Sequence, residues 1–584
     1  MSVAALLRLV QRNSEGKRFR PAQRHRACLR PGGRQSFVPR LEVLEDRWAP
    51  AVLTVNTLAD ETTADNTLSL REAINVINSG STAGLSSAEQ AQVSGTLGQN
   101  DTIQFAASLA GGTITLTNGQ LTITRDVTIA GPGASQLTIS GNAASRIFDI
   151  SGSATVSIAG LTLTHGLATD NGGAISLSDF GGNAHLNLSG CTLTNNQATT
   201  FSFVGGALFN NFGNTANVSN CTLTANQVIA FDNIGPELAS ECEGGAIDND
   251  GTMTVTNSVF TGNQAIAGNT THVDNLTDAN AGAIANDGTM AVSGCTFTGN
   301  QAICGNTDRV SLADGGAIAN FGSLSVTGST FSGNQAIAGK GVSRTSLGLG
   351  GGIEATFFST LSVANCTFSG NVAMGGAGGS GIRGGDAAGG GIDVRTDSSA
   401  TIMNSVFSHN QAIGGAGGAG AVGGNGIGGA VAVGTGVLGG IFGISPDMSS
   451  LMLSGSVLDH NQAVGGVGGT GSSGGNGWGG GLAALNGSAS DSGSTFTNNL
   501  ALGGNGNSGG NGFGGGIYVA SGATVSLSGS SVTLNHANGG TGSSGTDGQG
   551  IGGGVYNLGA FSFDSTTVIA HNHASTSNDD TFGV

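Results

Sequence analysis

Proline is scarce in this chain, at 7 of 584 residues, and no Gly-x-y period orders its 108 glycines, so a collagen-like triple helix is excluded. Basic residues are scarce beyond the beginning. Residues 1–50 hold 11 of the 19 Lys and Arg but 4 of the 36 Asp and Glu, leaving 8 basic against 32 acidic residues in the body. An acidic body repels phosphate backbones, which argues against nucleic acid as a partner. No stretch approaches the roughly 18 apolar residues of a membrane-spanning helix. The seven cysteines show no zinc-ligand spacing.

What the chain does have is a repeat. Eleven times a glycine-rich pair precedes an apolar strand: Gly172, Gly205, Gly244, Ala281, Gly315, Gly351, Gly390, Gly428, Gly480, Gly515 and Gly553. Each is followed by an aromatic or aliphatic residue three places before an asparagine: Asn196, Asn226, Asn263, Asn300, Asn334, Asn371, Asn410, Asn461, Asn499, Asn535 and Asn572. In nine of the eleven units the pair-to-Asn distance is 19 to 21 residues, while the return is looser. A constant core with a variable connector marks a solenoid, in which each unit buries its apolar face against its neighbours.

Within the constant segment apolar residues alternate, as in Met253 and Val255 and then Ser258 and Phe260. Period two predicts strands, and no helical stripe competes. The alternation slips beside Gly190, Asn220, Asn257, Gly294, Gly328, Asn365, Asn404, Gly455, Gly493 and Gly529, residue types that accept positive φ and so form corners. Further corners are expected at tight-turn sequences such as Asn249-Asp-Gly251 and at the motif Asn. Three short strands per turn describe an all-β parallel β-helix. Phe260, Phe297, Phe331, Phe368, Phe407 and Phe496 would stack inside it, with Asn263, Asn300, Asn334, Asn371 and Asn410 bonding coil to coil.

Upstream, Ser69-x-x-Glu72 is a capping box, and Leu70, Ala73, Ile74 and Ile77 make one apolar helix face that would cover the N-terminal end of the solenoid. Residues 80–100 read as a mobile insertion. Alternating pairs between Thr102 and Leu163 predict the first coils.

Three resemblances follow from these motifs. Arg40-Leu-Glu-Val-Leu-Glu-Asp-Arg-Trp-Ala-Pro50 resembles the LExLEDRxAPA leader of large exported proteins of planctomycete-type bacteria. Leu53-Thr-Val-Asn-Thr and Thr67-Leu-Ser-Leu-Arg-Glu-Ala-Ile-Asn75 look like the CSLREA segment that opens many bacterial surface β-helices, with Thr67-Leu68 where that family has its Cys. Over about 400 residues the repeats resemble those of polymorphic outer-membrane proteins and the wider pectin-lyase-like superfamily. The resemblance implies a right-handed parallel β-helix at the cell surface, outer membrane or outside the cell. The expected organisation is a basic, disordered export or processing leader (1–50), a cap with linker (51–100), first coils (101–171), eleven repeats (172–575) and a short tail (576–584).

The catalytic inventory is thin. Hydrolysis of a glycosidic bond needs a positioned acid and base, yet the GHG and RIK motifs of polygalacturonase-like enzymes are absent and Asn306-Thr-Asp308 stands alone. Past the first repeats the basic residues are Arg309, Lys340, Arg344, Arg383 and Arg395. No cofactor is identified. Calcium is conceivable at Asp248, Asp250 and Asp287, within a wider acidic set of Glu241, Glu243, Asp274 and Asp278, although a solvated loop face is the favoured account of these residues. The GGNG loops beginning at Gly423, Gly474 and Gly509 lack the ion-binding aspartate of calcium rolls, so loop stacking is the better account. His409, His460 and His571 read as exposed turn residues. Cys191, Cys221, Cys295 and Cys366 share one repeat position and read as buried thiols, with a Cys191–Cys221 disulfide geometrically open. The favoured function is non-catalytic adhesion to a polysaccharide or another surface. The alternative is a polysaccharide lyase or glycoside hydrolase of the same fold.

Overall fold

The computed structural model describes residues 49–200, 205–232, 240–270, 276–308, 310–343, 345–435 and 447–584. Residues 1–48, and with them most of the leader motif, lie outside the described residues, as do Asp274, Arg309 and Arg344.

One repeat shows how the coil is built. Ile284–Asn286, Thr289–Ser293, Thr296–Thr298, Gln301–Cys304 and Ser311–Asp314 are consecutive strands, and each pairs in parallel with its counterparts in the coils before and after. Stacking generates five sheets, named A to E in that chain order, of 14, 16, 14, 12 and 9 strands among the described residues. The fold is a parallel β-helix.

The three-strand coil expected from the sequence corresponds to sheets A, B and C, which enclose the main core of Ile284, Met290, Val292 and Phe297 and their equivalents. Sheets D and E are additional. Ala265 and Ala267 of sheet D pack against Cys242 and Ala279 of sheet E in a second, thinner core. The other face of sheet E meets the outside of sheet A, where Leu312, Leu349 and Ile427 pack on Ala432, Ala483 and Tyr518. Sheet E is therefore a flap held between sheet D and the back of sheet A, and the seam it closes with sheet A is buried.

Every slip residue takes positive φ, from +48° at Asn257 to +69° at Gly493. At the motif corner the left-handed residue is the one before the Asn, as in Gly299, Gly333, His409 and His460. The glycine pairs need one correction. The left-handed partner of Gly315 (φ +61°) is Gly350 rather than Gly351, and likewise Gly389, Gly479, Gly514 and Gly552 precede the glycines chosen from the sequence. A triple-glycine run does not reveal which member turns the corner.

The helix Leu70–Ser79 carries the Ser69–Glu72 capping box and buries Leu70, Ala73, Ile74, Val76 and Ile77 in the main core. Residues 80–100, expected to be a mobile insertion, form a second capped turn of helix at Ser87–Gln90 and a strand, Val93–Ser94. Glu89 explains the order: its carboxylate accepts from Ser86 N at 2.6 Å and from Asp65 N at 2.6 Å, while Val93–Ser94 pairs with Val52–Val55. At the far end, Thr581–Phe582 of the expected tail adds a last strand to sheet A.

Candidate functional site

The side chains singled out from the sequence fall into interior ladders and one acidic seam. Phe260, Phe297, Phe331, Phe368 and Phe407 are fully buried with ring centroids 4.6 to 4.7 Å apart. Leu458 occupies the next rung, and Phe496 follows it in register. Asn263, Asn300, Asn334, Asn371 and Asn410 are fully buried. Each carboxamide ties three coils together. Asn334 donates to Phe297 O at 3.1 Å in the coil before and to Asn371 Oδ1 at 2.9 Å in the coil after, and its oxygen accepts from Asn300 N at 3.0 Å.

Two further ladders escaped the sequence reading. Gln227, Gln264, Gln301 and Gln335 join side chain to side chain on sheet D at 2.7 to 2.8 Å. Asn210, Asn249, Asn286 and Asn320 do the same at the end of the sheet A strands, at 2.7 to 2.8 Å. Their signal was present in the recurrent Asn-Gln-Ala and Ile-x-Asn triplets. The GGNG loops stack as expected from their composition: a Cβ on Gly418 would lie 1.5 Å from Gly379 O, and the amides of Asn476 and Asn511 donate to the Asn side chain one coil earlier. Among the described residues all six cysteines are buried free thiols, including Cys191 and Cys221.

The seam between sheets A and E gathers the acids. Glu243, Asp248 and Asp287 each bring a carboxylate oxygen within 4.8 Å of the other two. Asp250, proposed alongside Asp248 and Asp287, is not part of that group, and Glu243 takes its place. These hard oxygens match calcium in kind, but the ion takes about six to eight of them.

Farther along the seam stands a cluster that sequence reasoning missed. Strand alternation directs Ile392 and Val394 into the core and Asp393 and Arg395 outward, into the seam. Arg395 donates to Glu354 of the adjacent strand and, at 3.0 Å, to Asp314 of sheet E, and lies 3.7 Å from Asp393. Thr435 donates to Asp393 at 3.2 Å. The four charged side chains are 0 to 2% exposed. Burial pushes the carboxyls of Glu354 and Asp314 up, and Asp393 up to about 7 against the pull of Arg395 and Thr435. Burial opposes the charge on Arg395, but Glu354, Asp314 and Asp393 outweigh it and hold the guanidinium protonated. Desolvation, followed by the neighbouring charge of Asp314, also lifts Asp278.

Beyond the cluster the seam turns aromatic. Both tyrosines stack there with Trp478: Trp478–Tyr518 at 5.3 Å, Tyr518–Tyr556 at 5.7 Å and Tyr556–Phe582 at 4.6 Å. The near-parallel rings occupy one another's faces.

The outer surface of sheet C is different in kind. Thr192, Thr222, Thr296, Thr330 and Thr367 lie in one outward column, which exposed Val259 interrupts and Val406 and Val457 continue, while Thr194, Thr224, Thr261, Thr298, Ser332, Ser369 and Ser408 run unbroken in a second beside it. Asp459 is the single charged residue in either column. Sheet B carries a parallel hydroxyl surface, with a shallow groove of 450 Å³ over Thr254, Ala291, Ser325, Ser362 and Thr401. Among the described residues no helix is long and apolar enough to cross a membrane.

No protein-family model and no curated protein matches the chain. Among solved structures it is similar to the crystal structure of bacteriophage CBA120 tailspike protein 3, with 11% identity and a TM-score of 0.28 over 83% of this chain. The chain spans 57% of that tailspike chain, and so slight a likeness carries no argument about function.

Proposed function

We propose that this chain is an exported, surface-displayed binding rod that takes an extended polysaccharide or a cell-surface glycan without turning it over. One observation carries the reading: the carboxylates and arginine that converge, Asp314, Glu354, Asp393 and Arg395, are sealed in the seam, whereas an unbroken hydroxyl column on sheet C, from Thr194 to Ser408, faces outward beside a second that valines interrupt. A reacting bond has to reach its acid and base within hydrogen-bonding distance, and a buried cluster denies it that approach. Rows of hydroxyls repeating at roughly the 4.8 Å strand spacing offer a hydroxyl-rich polymer a matched series of donors and acceptors.

The enzyme reading draws on the same cluster, because three carboxylates around one arginine are the gathering that a lyase or hydrolase would need. Glycan-array binding and co-sedimentation with insoluble polysaccharides, run beside assays for reducing ends and unsaturated products, separate the two. Binding that Thr298→Arg and Thr330→Arg weaken at least tenfold, with no product, supports the rod. Sustained turnover that Glu354→Gln abolishes replaces it with the enzyme.

A further inference from the structure

We infer that Asp314, Glu354, Asp393 and Arg395 form a proton-dependent clamp, which fastens sheet E to the back of sheet A while the cluster holds a proton and loosens that contact once the proton leaves.

The tie itself is visible. Glu354 belongs to sheet A and Arg395 follows directly on a sheet A strand, Asp314 belongs to sheet E, and the guanidinium donates to Glu354 on its own side and to Asp314 across the seam. It joins residues 81 positions apart in sequence. On the neighbouring rungs sheet E presents Leu347, Leu349 and Ala388, which meet sheet A through apolar packing.

The charge count makes the tie conditional. Three carboxylates surround one guanidinium, so full ionisation would leave two uncompensated negative charges among groups 0 to 2% exposed. The groups that face the cluster add to the excess: Asp278 of sheet E beside Asp314, with Glu241 behind it, and Asp447 beside Asp393, while the Cys304 thiol of sheet D also faces Asp314. Arg395 is the one cation facing it among the described residues. Arg395 Nη1 has no hydrogen-bond partner, and the Asp314 and Glu354 carboxyls meet in a hydrogen bond that exists only while one of them carries a proton. A buried ion without compensation is expensive, and a carboxyl in that position keeps its proton instead.

The sign follows from which state holds the proton more tightly. Folding raises the proton affinity of Asp393, to about 7, and that of Glu354 and Asp314. The stabilisation is therefore complete below the ordinary carboxylate range and is lost as pH rises through neutrality. Deprotonation releases a proton to solvent and leaves repelling carboxylates facing each other across the seam.

Hydrogen exchange of the sheet E strands Ser311–Asp314 and Leu347–Leu349, followed in the full-length chain from pH 5.5 to 8.5, tests the clamp. After correction for intrinsic exchange, the opening equilibrium should grow by up to tenfold per pH unit below about pH 7, the slope for one proton, and level off above it, where both states have lost the proton. Glu354→Gln and Asp393→Asn, amide mimics of the protonated acids, should flatten that slope, while strands of sheet C show none in any variant. A flat or opposite wild-type profile overturns the clamp, as does an unchanged slope in both variants. Should the variants fail to fold, the wild-type slope at sheet E, compared with sheet C, decides.

Discussion

Replacing Asn334 by alanine tests the ladder directly. The side chain makes four hydrogen bonds: to Phe297 O at 3.1 Å, to Asn371 Oδ1 at 2.9 Å, and from Asn300 N and Nδ2 at 3.0 and 2.9 Å. Truncation takes the acceptor from the Asn300 amide and from one proton of its carboxamide, both in a water-free interior. Each buried orphan costs about 1–3 kcal/mol, so the pair puts the loss at about 2–6 kcal/mol. Asn334→Asp makes a sharper comparison. It keeps the acceptor but turns a second oxygen toward Phe297 O and Asn371 Oδ1, two acceptors. A buried carboxylate so placed is driven to protonate, and the defect should shrink as pH falls from 8 to 5. Urea unfolding at several pH values measures the total, and hydrogen exchange at the coils of Asn300, Asn334 and Asn371 locates it. Nearest-neighbour coupling predicts damage confined to those coils. An Asn334→Ala chain within about 0.5 kcal/mol of the parent would refute the ladder as a source of stability.

Phe331→Ala removes a fully buried ring stacked at 4.7 and 4.6 Å on its neighbours, and about 3–5 kcal/mol should be lost in calorimetry; a silent change would contradict close packing of the column. Gly418→Ala forces a Cβ to 1.5 Å from Gly379 O and should destabilise the stacked loops by about 1–3 kcal/mol or more, whereas Gly98→Ala, which meets nothing within 4 Å, should be neutral in the same urea titration. Burial pushes up the thiols of Cys295 and Cys366, so maleimide labelling at pH 8 should wait for unfolding, and prompt labelling of the native chain would show an interior more open than described.

The parts of this molecule that could be read in advance are those that recur at one repeat position. Phe297, Phe331 and Phe368 hold their place after each slip residue, and the aligned column fixes which face they share. Sheet E is the opposite case. Its strands read Ser240-Glu-Cys-Glu243, Gly426-Ile427 and Gly512-Phe513, too short and too unlike for alternation to register, and they follow connectors of unequal length. The acidic seam was illegible for the same reason. Arg395 meets Glu354 and Asp314 across 41 and 81 residues, and that meeting depends on a flap whose existence the sequence did not announce. The hint that remained was Asp393-Val-Arg395, which sets two charges outward on a strand otherwise apolar on its inner side.

The asparagine ladder has one property beyond its bond count. From Asn196 to Asn572 every carboxamide donates toward the following coil, at 2.9 to 3.0 Å, and none is reversed. Eleven amide dipoles are thus aligned head to tail along the axis, the arrangement that gives an α-helix its macrodipole, and bonds chained this way polarise one another. The negative end is met by the Gly166 N–H at Asn196 Oδ1, and the positive end by the carboxylate of Asp580, which accepts from Asn572 Nδ2 at 3.0 Å. The rod is therefore an electrically directed object. A coil can be inserted within the ladder without loss only if its corner side chain both accepts from the coil before and donates to the coil after, as a carboxamide does and a carboxylate or a hydrocarbon does not.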